Sequence, residues 1–134
     1  MTRFSITRTA TAEDIDELGH VNNAVWVKWI QDLAVAHWDA VASVQDKAAY
    51  IWVVTRHEID YRGNVVLGDT VTGETWVPDL PKGARFNRHV RFIGSDGQVK
   101  LEAVTTWALI DRPSGRLLRV RADLAAQFMA DCGA

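Results

Sequence analysis

One stretch of this chain reads as a long helix enclosed on most of its sides, and that requirement constrains everything around it. Trp26, Trp29, Ile30, Leu33 and His37 recur at i, i+3, i+4, i+7 and i+11, the spacing of one helix face. Val27, Ala34, Trp38 and Val41 widen the apolar stripe, while Lys28, Gln31, Asp32, Asp39, Ser43 and Gln45 leave a thin polar edge. The spacing predicts a helix from Ala24 to about Val44, so the rest of the chain must supply its walls. Six Trp in 134 residues place several of these large rings in the core or at an interface.

Elsewhere the dominant period is two. Phe4 and Ile6 alternate with polar neighbours, which predicts a short first strand. Residues 11–23 are polar and read as a loop. Ile51, Val53, Thr55, His57, Ile59 and Tyr61 alternate with Trp52, Val54, Arg56, Glu58 and Asp60 as one long strand. Thr70 to Val77 is a second strand, closed by Pro78 and Pro81-Lys82-Gly83. Ala84, Phe86, Arg88, Val90 and Phe92 then alternate with Arg85, Asn87, His89 and Arg91. Ser95-Asp96-Gly97 reads as a hairpin turn. Val99 to Ile110 carries Leu101, Ala103, Thr105, Trp107 and Leu109 on one face. Leu117 to Val120 can pair briefly, and Ala122 to about Asp131 predicts a short terminal helix. One buried helix against an antiparallel sheet of five or six strands is an α+β layer arrangement in a single domain, residues 1–134.

The totals exclude several function classes. A formal net charge of −2, from 15 basic and 17 acidic residues, is no footprint for nucleic acid or an anionic membrane. A hydrophobic content of 48% argues against disorder. No signal-peptide pattern or membrane-length apolar run occurs, so a cytoplasmic protein is expected. The lone cysteine, Cys132, allows no intrachain disulfide, and the four His show no ligand spacing; no metal is expected.

The chemistry concentrates just before the helix, in Asp14-Ile-Asp16-Glu-Leu-Gly19-His20-Val21-Asn22-Asn23. Asn22 or Asn23 suits an N-cap. Unpaired N–H groups and the positive end of the helix macrodipole meet there, favouring negative charge, including charge that develops during a reaction. On the strand after Gly83, Arg85, His89 and Arg91 share one face by period two. Arg88 lies in the same strand, and Arg62 is an alternative contact. Guanidinium groups match phosphate by charge and fork geometry.

The D-x-D-x-x-G-H-V-N-N segment, followed by Trp26 and Trp29, resembles the hotdog-fold acyl-CoA thioesterases, in the 4-hydroxybenzoyl-CoA and long-chain acyl-CoA thioesterase branch. Glu58-Ile-Asp60-Tyr61-Arg62, Gly68-Asp69, Asp96-Gly97, Trp107 and Asp111-x-x-x-Gly115 support it, so the likeness spans nearly the whole chain. The resemblance implies a hotdog fold, a homodimer or dimer of dimers, and active sites between protomers. It implies an acyl-CoA substrate, with CoA as part of the substrate and no separate cofactor. Asp16 is then the catalytic base or nucleophile, with Gly19, His20 and Asn23 completing the catalytic set. Val21, Asn22 and Trp26 are expected to contact substrate, and Arg62, Arg85, Arg88, His89 and Arg91 the CoA phosphates.

Departures from that branch are Gln31 where Glu is common, Leu33-Ala34 where Arg often follows, and Asn64 where Pro is common. They leave a non-catalytic acyl-group binding module as an alternative. A hotdog hydratase is a weaker one, because no D-x-N-P-x-H occurs.

Overall fold

The computed structural model of the chain describes residues 3–129; Cys132 and the end of the expected terminal helix lie outside them. The elements are β1 (Phe4–Thr9), a 3-10 turn (Ala12–Asp14), α1 (Asn23–Val41), α2 (Val44–Ala49) and β2 (Tyr50–Tyr61). They continue as β3 (Thr70–Trp76), β4 (Arg85–Gly94), β5 (Val99–Asp111), β6 (Leu117–Leu118) and α3 (Ala122–Met129).

α1 starts where Asn22, in extended conformation, accepts the N–H of Ala24 on its side chain at 2.8 Å. It stops three residues short of the expected end. Ser43 caps a new helix instead, its Oγ accepting the N–H of Asp46 at 3.0 Å. The predicted stripe is the buried face: Trp26, Trp29, Ile30, Leu33, Ala34 and His37. The opposite face, through Lys28, Gln31, Val35 and Asp39, is exposed, so one chain covers only one side of the helix.

The sheet is antiparallel throughout, in the order β1-β3-β4-β5-β2, with β6 pairing β5 beyond the end of β4. β3, β4, β5 and β6 run as consecutive hairpins; β2 crosses to the far side of β5. Its register slips between Val54 and Arg56. Val54 faces Trp107 and His57 faces Thr105, so Trp52, Val54, His57 and Ile59 share the inner face. This corrects the strict alternation read along that strand. The remaining architecture is the helix-on-sheet hotdog arrangement that the resemblance implies.

Two apolar clusters fill the space beneath α1. One holds Trp26, Trp29, Ile30, Leu33, Val71, Phe92 and Leu101 near the start of the helix. The other holds Val77, Phe86, Leu109, Leu124 and Phe128 near its end. Gly73 sits where a Cβ would lie 2.5 Å from the ring of the fully buried Phe92. Gly73→Ala is therefore expected to cost about 1–3 kcal/mol by overpacking. Urea unfolding checks this, and an unchanged midpoint would contradict the stated packing.

Candidate active site

The polar segment before α1 folds back on itself. Ile15 and Val21 form an isolated antiparallel bridge, and the N–H of Asn22 donates to Asp14 O at 2.9 Å. The five residues between are drawn into a tight loop. Gly19 turns it at φ +78°, a conformation that a side chain disfavours. The carboxylate of Asp14 closes a capping box, accepting the Thr11 N–H at 2.9 Å, so Asp14 braces the 3-10 turn.

Asp16 sits at the base of the loop, half-buried. Its Oδ1 accepts the N–H of Leu18 at 2.9 Å and of His20 at 3.2 Å. Its Oδ2 meets no donor among the described residues. One oxygen thus holds the loop and the other remains available for chemistry. The backbone of His20 closes the loop, its carbonyl accepting from the N–H of Asp16 at 2.8 Å. Its imidazole is half-buried.

The amides at the helix start are not equivalent. The N–H of Val21 donates to Val65 O at 2.9 Å, that of Asn22 to Asp14 O, and that of Ala24 to the Asn22 side chain. The N–H of Asn23, the first helical residue, finds no acceptor among the described residues. Of the donors expected from residues 21–23, only this one is open. Bound in line with the helix dipole, it favours an anionic oxygen. Asp16 lies on the loop side of the Ile15–Val21 bridge, and Asn23 lies two residues past its other side, at the head of α1.

Two expected substrate contacts are corrected. Trp26 is buried in the first cluster, with the rings of Trp29 at 5.1 Å and Phe92 at 5.5 Å, because its helical position points at the sheet. Val21 is likewise buried and its amide is occupied. Asn22 caps the helix with its side chain.

The expected phosphate contacts divide. Arg88 is buried on the inner face, its Nη1 donating to His37 Nδ1 at 2.8 Å and to Thr75 Oγ1 at 2.9 Å. It cannot join Arg85, His89 and Arg91 on the outer face, which corrects its assignment to CoA phosphate. Burial, helped by the neighbouring guanidinium, lowers the His37 pKa to about 3, so this imidazole is the neutral acceptor in that pair. On the outer face the His89 ring lies tilted against Trp76, and Arg91 faces Glu74 at 3.7 Å. Arg62 donates to Glu102 at 2.8 Å. Glu58, Asp60 and Glu102 surround the hollow beside His89 and Arg91, so that face is not a concentrated positive strip.

A separate apolar cavity of about 170 Å³ lies under the second half of α1. Its wall includes Trp38, Trp52, Phe86, Trp107 and Phe128. No single stretch of sequence discloses this cavity, because its rings come from five separate elements. Asp16 does not line it within one chain. The cavity belongs to the second cluster and the Asp16 loop to the first.

The family model for the thioesterase-like superfamily matches residues 10–128. No curated protein sequence matches the chain. Solved structures of similar fold include a Staphylococcus aureus hypothetical protein in complex with CoA, at 19% identity and TM-score 0.81, covering 94% of this chain and 81% of that one. A DHNA-CoA thioesterase from S. aureus aligns at 15% identity and TM-score 0.82, covering 96% and 89%. A Thermus thermophilus thioesterase complexed with coenzyme A and Zn aligns at 20% identity and TM-score 0.80, covering 94% and 97%. With a hotdog sheet and a family match over nearly its whole length, this chain belongs to the thioesterase-like superfamily and is a thioester hydrolase.

Proposed function

We propose that the chain hydrolyses acyl-CoA thioesters to the free acid and CoA, with Asp16 and the Asn23 amide as its working groups. The observation that carries this is that the segment leading into α1 holds one uncommitted carboxylate oxygen, on Asp16, and one uncommitted backbone amide, at Asn23. Asp16 attacks the carbonyl carbon or takes a proton from the attacking water; the Asn23 N–H receives the oxygen that becomes negative. Gly19 and His20 shape the loop. Exposed Arg85 and Arg62 are the assigned contacts for the CoA phosphates.

The functional unit is a dimer joined along β2, with its cytoplasmic substrate held between protomers. β2 is a twelve-residue edge strand, and pairing it with a second copy removes an open edge. In antiparallel pairing, the Trp52 end of one β2 lies beside the Ile59 end of the other. Ile59 packs on the first cluster with Ile15. The Asp16 loop of one chain is thereby carried toward the aromatic cavity of its partner, which resolves their separation within a single chain. A further pairing of dimers leaves this geometry unchanged.

The test is thiol release from a panel of short, long and aromatic acyl-CoAs, with an enoyl-CoA included for water addition. Release of CoA supports hydrolysis. Tight binding without release would favour the non-catalytic alternative, and hydration would favour the other.

A further inference from the structure

A row of polar side chains crosses the inner face of the sheet between the two apolar clusters. Thr75, Arg88 and Thr105 are its buried members. Arg88 donates to Thr75 Oγ1 at 2.9 Å and stands opposite Thr105 in register, and Thr105 Oγ1 meets His57 Nδ1 at 3.0 Å. The row runs from β3 through β4 and β5 and ends on His57, in the edge strand β2. Buried polar groups persist where they are paired. The last atom of the row, His57 Nε2, meets no hydrogen-bond partner among the described residues. Nor is it sealed in by the chain. α1 lies over β1 and β3, at the opposite edge of the sheet.

The row also assigns the ring proton. Arg88 can only donate hydrogen bonds, so a Thr105 hydroxyl beside it turns its own proton toward His57 Nδ1. The proton of the neutral ring then sits on Nε2. Burial holds the His57 pKa below the ordinary histidine value, so the ring is neutral near pH 7.

The register slip in β2 decides what Nε2 faces. It falls between Val54 and Arg56, near the middle of Tyr50–Tyr61. Inward residues are even-numbered before it (Trp52, Val54) and odd-numbered after it (His57, Ile59). Antiparallel pairing of the full strand with a second copy sets Trp52 opposite the partner's Ile59 and Val54 opposite the partner's His57. Directly opposite residues share a face, so inner meets inner along the whole joint. A regular strand would break that match, because residues 52 and 59 would point to opposite faces. Each His57 thus stands beside Val54 of the other protomer, and Val54 pairs in its own sheet with Trp107, on the wall of the aromatic cavity.

We propose that His57 is a substrate-contacting residue of the cleft between protomers, its Nε2–H donating to a carbonyl oxygen of the bound acyl-CoA. The inference rests on the dimeric acyl-CoA reading above and adds a side chain to it. Two carbonyls suit this donor: that of the thioester, and an amide carbonyl of the arm that leads to it. Kinetics separate them. A bond to the thioester oxygen strengthens as that oxygen becomes negative, so its loss lowers kcat. A bond to the arm is the same in ground and transition states, so its loss raises KM alone.

His57→Asn keeps a polar atom near the Nδ1 position for Thr105 and has none near Nε2; His57→Gln does the reverse. His57→Asn is expected to lower kcat/KM for acyl-CoA esters by about tenfold, with the dimer and the urea midpoint as in the wild type. His57→Gln is expected to recover most of that loss. Wild-type kcat and KM in His57→Asn, or a His57→Gln no better than His57→Asn, would overturn the inference while leaving hydrolysis intact. A monomeric wild type would overturn it too. Ester binding is measured by tryptophan fluorescence on Asp16→Asn with and without His57→Asn. If the wild type releases no thiol, weaker binding in the double variant supports the contact and removes the hydrolytic reading; equal binding removes both.

Discussion

Asp16→Asn is expected to lower thioester turnover by about 10²–10⁴-fold while the protein stays folded. The substitution separates two jobs that one carboxylate performs. Oδ1 braces the loop by accepting from Leu18 and His20. An amide oxygen at the same place still accepts both bonds, so stability should change by only about 1 kcal/mol. What the amide lacks is the charge and basicity at the second oxygen. Asp16→Ala removes both functions and should show a loss of stability as well as activity. Wild-type turnover in folded Asp16→Asn would take the acid out of the mechanism.

The second large effect is on acid stability. His37 is buried between Arg88, Phe4 and Phe128, and its pKa in the folded protein falls from 6.5 to about 3, chiefly by burial and then by the charge on Arg88. The unfolded chain binds a proton below about pH 6.5 that the folded chain refuses until about pH 3. Stability from this residue is therefore whole above pH 6.5 and is lost as the pH falls through that window. The slope is about 1.4 kcal/mol per pH unit, several kcal/mol across the window. Burial lowers the His57 pKa too, and contributes with the same sign. Urea unfolding between pH 7 and 4 should show the decline. His37→Asn keeps an uncharged acceptor for Arg88 and should flatten it. Identical pH slopes in the two proteins would contradict the assignment.

Much of this fold was legible because α1 and β5 each present one continuous face. The helical stripe from Trp26 to His37 and the β5 set from Leu101 to Leu109 face inward as their periods require. The unbroken alternation that the sequence of β2 suggests does not hold across its whole length. A one-residue bulge near Thr55 shifts the phase of a strand, and no local residue type announces it. α2 was hidden for a related reason: Ser43 ends one helix and caps the next without Gly or Pro.

In the site, the loop motif identified Asp16, but only coordinates reveal which amides the fold has already used. Val21 loses its amide to the distant Val65 and Asn22 to Asp14 across the loop. Arg88 shows the limit of charge as a signal. Its inner-face phase with Phe86 and Val90 was visible in the alternation, yet its partners His37 and Thr75 come from other elements. The aromatic cavity depends on five separate segments and could not be read from any of them.

A crystal structure of Asp16→Asn with an intact acyl-CoA tests the central claim most directly. The account predicts the thioester carbonyl oxygen about 2.7–3.1 Å from the Asn23 N–H, with residue 16 against the carbonyl carbon and the acyl group in the aromatic cavity of the partner protomer. A thioester bound elsewhere, with the Asn23 amide open to solvent, would contradict it.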